Sequence, residues 1–531
     1  MGPLLSGYKK WSRGCFALCL VSSVIILSAQ SPGNFGVLVD SAACDALPLM
    51  PLFEQGQKGD DGLPASQSLR PYCPRPLDQG ASAACAGFAA AYGAMTILEA
   101  IGANTTDPTE ISQLACSPWF VYNQIKQGKG DCNTPASMEK AIQVLKEQGV
   151  CLYSEFHPAE GDCDAVPNQT IKQLASTRKL KDAAVLFEWK SSPEQKIVAV
   201  RNALAGGLPV VAMLTVFKSF RDIPSGIGSW KMRSTQTENY LDQHFLVVTG
   251  YDDRSQRFEL MSSWGTAWAD GGFVSLSYQD FAAICRMAYQ FLPYDFSPPI
   301  APILADASTR KHLSSTPTQT RTAAAGQQKL ALKRPTSNLS TSLFLQGKFE
   351  FVRPVWSELR NAFEFAPEGV IYDSKAHCYT MAEGTFPVGT QFMLRSSAIP
   401  TGKYVYVFSC DPTGAVKLHW PKNDRQAQFV PGEQVVISIP SPNDVFVLAH
   451  PGDDFLCILY SDDPIPDLRE RMARMRGYSA SNFHAVLANA FSGLLIAPEK
   501  VQLEGEAMRA KCSIVRKDGT AMAIVLRVRG E

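Results

Sequence analysis

The feature of this sequence that most constrains its fold is an alanine-rich run at residues 84–101, where apolar side chains occupy almost every face of a helix. A helix that is apolar all round has to be buried, so the run predicts a central core helix. Cys85 stands at its start. A free cysteine is most often a small buried hydrophobe, but a helix start also favours the thiolate. The run alone therefore leaves Cys85 as either a structural thiol or a nucleophile.

Length and charge limit the classes of partner. A chain of 531 residues predicts about two to four domains. Lys+Arg and Asp+Glu each number 50, so the net charge is zero. That balance argues against binding to nucleic acid and against an electrostatic role at a membrane surface. The chain contains neither C-x-x-C nor H-E-x-x-H spacing, so we predict no metal site and no cofactor.

The N-terminus is typical of a secretory signal peptide at residues 1–29. A basic stretch, YKKWSRG, precedes about fifteen apolar residues and small residues that suit cleavage after Ala29. The alternative is a single membrane anchor, but the run is short for a span of about 20 residues. We therefore expect an exported protein, secreted, periplasmic or at the cell surface, with no membrane span after cleavage. Disulfides are then expected, and the best candidates are Cys132, Cys151 and Cys163.

The remaining chain divides by composition into four parts. Residues 30–65 read as an irregular N-terminal extension, 66–295 as the first domain, 296–345 as a disordered linker rich in Ser, Thr, Ala and Pro, and 346–531 as a second domain. The first domain predicts helices early, including one capped by Thr134 and one at 194–205, and then four strands. Such an order favours an α+β domain with a helical lobe and an antiparallel β lobe.

The second domain reads as a smaller β-rich sandwich or barrel with two helices. Short strand-like segments recur at regular intervals, two helices follow, and a closing hairpin is predicted to turn at Asp518-Gly519. Its pattern is similar to a bacterial domain of unknown function that is often appended to peptidase-like domains. We therefore expect the second domain to be an accessory or binding module, and its partner could lie at the cell surface.

Partners for Cys85 appear later in the first domain. Gln79 lies six residues before Cys85, where its amide and the Cys85 N–H would form an oxyanion hole. His244 opens the strand HFLVVTGYD, and the segment SSWGTAW follows at 262–268. A nucleophilic thiol needs such a base, and the base needs a third group that fixes its orientation.

In order and spacing, these residues resemble the papain family of cysteine peptidases. The resemblance covers about 66–295 and implies a two-lobed papain-like fold. It makes Cys85 the nucleophile, His244 the base and imidazolium partner, and Gln79 a donor to the oxyanion. It also makes Trp264 the shield of the histidine's hydrogen bond. The substrate would be a peptide or protein.

Three positions depart from the family pattern. Ser262 replaces the asparagine that orients the histidine, and its shorter side chain predicts a looser orientation. Ala86 replaces the tryptophan after the cysteine. The Gly-Gly that pairs with the substrate backbone aligns with Thr134-Pro135, after Asn133, and proline has no N–H to donate. Asn133 and Thr134, together with Trp264, are still the predicted substrate-binding positions.

These features leave three hypotheses. The first is an exported papain-like endopeptidase acting through a thiolate–imidazolium pair. The second is an inactive papain-fold protein that binds peptides or displays its C-terminal domain at the cell surface. The third is amide hydrolysis on a non-peptide substrate by the same Cys-His chemistry. Two aspartates near His244, Asp242 and Asp252, are alternative orienting groups, although turn aspartates are usually solvated.

Overall fold

A computed structural model describes residues 37–51, 63–159, 162–233, 239–294, 342–358 and 362–531, with short breaks at 39, 427, 431, 433–434, 442–443 and 505–507. The predicted signal peptide, and the predicted linker up to residue 341, lie outside the described residues. The second domain begins with a strand at Ser342, four residues before the predicted boundary.

Helices of the first domain dominate residues 85–175, and further helices alternate with strands after residue 180, so the content is mixed as the sequence predicts. The helices are Ser41–Ala46, Cys85–Gly102, Pro108–Leu114, Pro118–Ile125, Met138–Glu147, Gln169–Ala175, Pro193–Ala205, Lys218–Arg221 and Tyr278–Ile284, with a 3₁₀ turn at Arg70–Tyr72.

The predicted central helix is confirmed at Cys85–Gly102, a segment that we call the central helix. Within the described residues it is the one helix long and apolar enough to cross a membrane, and 89% of it is buried inside the protein. Its middle, Phe88–Met95, has the wider π-helical hydrogen bonding. Such widening is frequent at functional sites.

The helix that was predicted to have Thr134 as its N-cap begins three residues later. It runs from Met138 to Glu147, and Ser137 is its N-cap because the Ser137 hydroxyl accepts a hydrogen bond from the Lys140 N–H. Ser137, rather than Thr134, is the N-cap because its side chain accepts a hydrogen bond from a backbone N–H of the first turn. The chain before it, including Thr134, is therefore free to form a turn beside the central helix.

One eight-stranded sheet forms the β part of the first domain. Its order is β2-β8-β3-β5-β6-β7-β4, with β1 on β5, and all pairs are antiparallel except β4 with β7. Every residue of β3 is buried, and His244 lies opposite Leu214 of β3. The histidine is therefore placed on a strand in the middle of the sheet. The strands are β1 Ser66–Ser68, β2 Leu180–Val185, β3 Val210–Phe217, β4 Ser229–Trp230, β5 Tyr240–Asp252, β6 Arg257–Met261, β7 Phe273–Ser277 and β8 Cys285–Pro293.

One disulfide joins two of the three predicted cysteines. Cys132 pairs with Cys163, whereas Cys151 is a free, buried thiol, like most of the free cysteines in the described residues. The bridge closes a loop with a sequence separation of 31 residues. It fastens the turn at residues 131–134, which lies beside the start of the central helix.

The N-terminal extension is more ordered than predicted. It holds a helix at Ser41–Ala46, capped by the Asp40 carboxylate. Leu49 then bridges in parallel to Val185 at the edge of β2 on one side and to Gln426 of the second domain on the other. The backbone hydrogen bonds, including Met50 N–H to Val185 O at 2.7 Å and Leu49 N–H to Arg425 O at 2.6 Å, make this segment a strand-like bridge between the two domains.

The second domain contains two further sheets and two helices, Leu468–Ala473 and Phe483–Ala490. One sheet has the order β16-β13-β9-β20-β19, with β10 on β9 and β17 on β13, and the other has the order β11-β12-β21-β18-β14-β15. The sheets meet where Gly347 of β9 lies against Tyr460 of β18. The strands are β9 Ser342–Ser357, β10 Ala362–Pro367, β11 Val370–Asp373, β12 Cys378–Phe386, β13 Gln391–Ser397, β14 Tyr404–Cys410, β15 Val416–Trp420, β16 Ile437–Ile439, β17 Phe446–Val447, β18 Gly452–Ser461, β19 Gln502–Glu504, β20 Met508–Val515 and β21 Ala521–Gly530.

The predicted closing hairpin is wrong. β20 pairs with β9 and β19, whereas β21 pairs with β18 and β12, so the two strands belong to different sheets. A 3₁₀ turn at Arg516–Asp518 and Gly519, with φ +124°, carry the chain across. After the turn, the Thr520 N–H bonds the Leu494 carbonyl. This contact is distant in sequence and directs the last strand to the second sheet.

Candidate active site

The loop before the central helix is fastened to the loop after β6. Asp78 and Trp264 form an antiparallel bridge, the Gln79 N–H donates to the Ser263 carbonyl at 2.8 Å, and the Gly265 N–H donates to the Leu77 carbonyl at 3.1 Å. Gly265 has φ +73°, which suits glycine, and a Cβ there would lie 3.2 Å from the Asp78 Cβ. The backbone thus holds Gln79 and Trp264 in one unit.

Cys85 lies at the start of the central helix and against β5. The residue is 1% exposed, and its sulfur accepts hydrogen bonds from the backbone N–H groups of Phe245, Ala86 and Cys85 itself. Phe245 directly follows His244 in β5. The thiol therefore lies against the strand that carries His244, a residue 159 positions later in the sequence.

The Cys85 thiol is strongly biased toward its protonated form. Burial is the largest cause and the negative charge of Asp242 adds to it, while the backbone N–H groups act in the opposite direction; the net effect raises the pKa of Cys85 to about 11. Helix-start donors therefore exist as predicted, but desolvation outweighs them.

His244 is fully buried beneath Trp264. The two rings stack with centroids 4.4 Å apart and planes 20° apart. Burial, followed by the positive charge of Arg221, lowers the pKa of His244 to about 3. Trp264 covers one face of the imidazole, and the shielding role that the papain resemblance implies for it stays a prediction.

Ser263 connects His244 to Gln79. The Ser263 hydroxyl donates to the Gln79 Oε1 at 2.5 Å and lies 3.4 Å from the His244 Nε2. The Gln79 Nε2 donates to the Ser82 carbonyl at 2.7 Å, which fixes the orientation of the amide. Because the Ser263 hydroxyl proton is donated to Gln79, the Ser263 oxygen is left to accept a hydrogen bond from the His244 Nε2–H. In a neutral imidazole that carries its proton on Nε2, Nδ1 is the acceptor.

Ser262, the predicted orienting residue, lies next to this chain of contacts. Its side chain is buried, and its hydroxyl has no hydrogen-bond partner within the part of the chain that the structure describes. The hydroxyl recorded near Nε2 belongs to Ser263 instead. An orienting role for Ser262 therefore stays a prediction.

The two candidate aspartates lie in different places. Asp242 is on β5, two residues before His244, and its charge acts on the Cys85 thiol. Asp252 is at the far end of β5, eight residues from His244 and so about 26 Å away along the strand. There it accepts from the Arg254 N–H at 2.8 Å. Asp252 is thus a turn residue, as its type suggests.

Asn133 and Thr134 lie in the turn closed by the Cys132–Cys163 disulfide. The Tyr122 hydroxyl donates to the Thr134 carbonyl at 2.9 Å and to the Cys132 carbonyl at 2.7 Å. The Cys132 carbonyl also accepts from the Ala83 N–H at 2.8 Å. The turn is therefore tied to the start of the central helix, and Asn133 is exposed. Substrate binding by Asn133 and Thr134 stays a prediction.

Sequence reasoning gave no role to two residues of the site. Ser263 belongs to the motif SSWG, but a sequence does not say which of two adjacent serines faces the histidine. Arg221 packs on the ring of Trp264, with its guanidinium carbon 4.7 Å from the ring centroid. Nothing in the spacing marks it, since it lies 23 residues before His244, at the end of the short helix after β3.

The two serines provide a matched pair of variants. Ser263→Ala removes the acceptor of Nε2–H and the donor to Gln79, so we expect kcat/KM for peptide hydrolysis to fall about ten- to hundredfold. Ser262→Ala removes only a buried hydroxyl without a recorded partner, and we expect little change in kcat/KM. A larger loss in Ser262→Ala than in Ser263→Ala would return the orienting role to Ser262.

Comparisons with known proteins match the first domain. Residues 69–292 match the family model described as papain family cysteine protease. An uncharacterized peptidase C1-like protein of Acanthamoeba polyphaga mimivirus is 23% identical over 210 residues, which are 38% of this chain and 64% of the viral protein. This chain thus spans less than two thirds of that relative.

Solved structures of cysteine proteases also match. Xylellain, a cysteine protease from Xylella fastidiosa, is 18% identical, with a TM-score of 0.39, and the match covers 50% of this chain and 98% of that one. Digestive procathepsin L 3 of the Tenebrio molitor larval midgut is 18% identical, with a TM-score of 0.36, over 49% and 76%. The family match, which spans the site from Gln79 to Trp264, supports a papain-family cysteine peptidase domain at residues 69–292.

Proposed function

We propose that this protein is an exported cysteine peptidase that hydrolyses peptide bonds through Cys85 and His244. The observation that carries the proposal is the position of the Cys85 sulfur against the N–H of Phe245, the residue after His244. A thiol at a helix start, against the strand of a histidine whose Nε2 faces a hydroxyl, supports the roles of nucleophile, base and orienting group.

The reaction would proceed in two halves. The Cys85 sulfur attacks the peptide carbonyl carbon while His244 takes the thiol proton, and the oxyanion accepts hydrogen bonds from the Cys85 N–H and from Gln79. One N–H of the Gln79 amide bonds Ser82, and an amide nitrogen carries two. His244 then protonates the amine as the carbon–nitrogen bond breaks. Water, deprotonated by His244, hydrolyses the thioester, releases the acid and restores the thiol.

Burial opposes the charged forms of both Cys85 and His244. The raised pKa of Cys85 and the lowered pKa of His244 both favour neutral forms. A thiolate and an imidazolium in contact attract each other strongly in a low-dielectric site, which offsets that cost. The proposed resting state is therefore a neutral pair in exchange with a thiolate–imidazolium pair.

The test is the pH dependence of Cys85 alkylation by iodoacetamide, followed by mass spectrometry in the wild type and in His244→Ala. We expect the wild type to be labelled well below pH 7 and the variant to lose that labelling. Slow labelling of both, rising only near the free-thiol pKa of about 8.5 or above, would contradict the proposal.

One observation favours a second candidate, an inactive papain-fold protein that binds peptides or displays its C-terminal domain. Cys85 is 1% exposed and His244 is 0% exposed, so a substrate carbonyl reaches the sulfur only if surrounding groups move. Flat, slow alkylation together with peptide binding would support this candidate. Export and a surface partner for the second domain remain proposals that rest on the N-terminal sequence and on domain type.

A further inference from the structure

A cavity lies where the second domain meets the edge of the first-domain sheet. Its volume is about 40 Å³, which exceeds the roughly 10–15 Å³ that one buried water molecule needs. Residues of both domains line it, among them Lys181 of β2 and, from the second domain, Lys403, Asp462 and Arg516. The cavity therefore has room for a small ligand, and its walls carry charge from two domains.

Close packing between the domains surrounds this cavity. A Cβ on Gly402, which lines the cavity, would lie 2.5 Å from the Cδ1 of Leu292, which lines it from the first domain. A Cβ on Gly432 would lie 3.0 Å from the Gly206 Cα. Glycine permits contacts this close because it has no side chain. The cavity thus belongs to a packed interface and not to a gap between two loosely tethered domains.

Two carboxylates beside the cavity are already paired by cations of the second domain. The Lys403 ammonium and the Arg516 guanidinium both donate to the Asp462 carboxylate, and Arg516 also donates to Asp463 at 2.6 Å. Lys181 donates to the backbone carbonyl of Asp462 and lies 3.7 Å from the Asp463 carboxylate. Three positive groups thus face two negative ones, so this cluster carries one positive charge in excess.

Lys181 is the positive group of this cluster that is compensated least. Its side chain is 9% exposed, and burial lowers its pKa although the charges of Asp462 and Asp463 act in the opposite direction. An ammonium group has three N–H donors, and the hydrogen bond that Lys181 makes within the described residues goes to a carbonyl. A buried charge is costly unless it is paired and hydrogen-bonded, so a further acceptor beside Lys181 would stabilise the folded protein.

We propose that the cavity binds a small oxyanion, a carboxylate or phosphate group, held between the ammonium groups of Lys181 and Lys403. Each ammonium group has N–H donors beyond the one that bonds Asp462, and its hydrogen bonds to carboxylate or phosphate oxygens are strong. One bound negative charge balances the excess positive charge. Lys181 lies on β2, the last strand of its sheet, and Lys403 directly precedes β14. The anion therefore joins the first domain to the second, and its site is independent of the proposed peptidase chemistry.

The first test is isothermal titration calorimetry with the full chain, in which sodium acetate and sodium phosphate are separate probes at constant pH and ionic strength. We expect one saturable site per chain for at least one probe. Lys181→Met should weaken binding about ten- to hundredfold, because it removes a hydrogen bond between charged partners. Lys190→Met removes an exposed lysine from the turn after β2 and should bind like the wild type.

The second test needs no variant and decides the matter if Lys181→Met does not fold. A crystal structure of the wild type with the probe that binds should place its oxygens about 2.7–2.9 Å from the Nζ atoms of Lys181 and Lys403. Binding of phosphate alone would identify a phosphate ligand, and binding of acetate would identify a carboxylate ligand. No saturable binding of either probe, unchanged affinity in Lys181→Met, or a bound probe outside the cavity would overturn the proposal.

Discussion

Alanine at His244 should lower kcat/KM for peptide hydrolysis by about 10⁴-fold or more, and alanine at Cys85 should remove hydrolysis to the same background. The physical reason is that sulfur attack and proton transfer are one event. The double variant should therefore be no worse than either single variant, since residues that act as a unit are not additive. The measurement is steady-state hydrolysis of a fluorogenic peptide mixture.

Matched controls exist for both residues. His157 is exposed, and its Nδ1 lies near the Tyr153 carbonyl, so His157→Ala should leave kcat/KM near the wild-type value. Cys73 is a free, partly exposed thiol that donates to the Leu69 carbonyl, and Cys73→Ala should do the same. Hydrolysis that survives in Cys85→Ala but disappears in Cys73→Ala would show that Cys73, and not Cys85, is the nucleophile.

The second large effect is expected at Gly87, one turn or less from Cys85 in the central helix. A Cβ at this position would lie 2.5 Å from the Pro118 carbonyl oxygen and 3.1 Å from the Tyr122 Cβ. Because a backbone oxygen cannot rotate away, the helices have to separate. Gly87→Ala should lower the free energy of unfolding by about 2–3 kcal/mol, measured by urea denaturation, and should shift Cys85 from its N–H donors.

Gly102 provides the comparison in the same helix. It is exposed, and a Cβ there would have nothing within 4 Å. Gly102→Ala should therefore raise the free energy of unfolding by about 0.5–1 kcal/mol, because alanine is the better helix former. Equal effects at the two glycines would contradict the close approach of the central helix to Pro118.

Sequence was most informative where one signal was strong and local. The central helix followed from an unbroken apolar run, and the helix at Pro193–Ala205 followed from its apolar pattern. The candidate residues Cys85 and His244 came from a motif in a known order. In each case the determining groups lie within a few residues of one another, or repeat a pattern already known.

Contacts between segments that are distant in the sequence could not be predicted in this way. The choice of Ser263 over Ser262 depends on how the chain leaves β6, a difference of one residue. The failed hairpin depends on Leu494 holding the chain at Thr520. Arg221 packs on Trp264, which lies 43 residues later in the sequence. Tertiary packing determines each of these three contacts, and the local propensities of the residues do not predict it.

The strand at residues 48–50 has a consequence for how much of the chain can be produced alone. Its one edge bonds Val185 and its other edge bonds Arg425, two residues that are 240 positions apart in the sequence. A product that ends after β8 would leave the outer edge of Leu49 open, and open strand edges promote aggregation. A product that starts after residue 51 would instead strip the cover from β2. Useful truncations of this protein therefore have to keep all three pieces together or replace the missing edge.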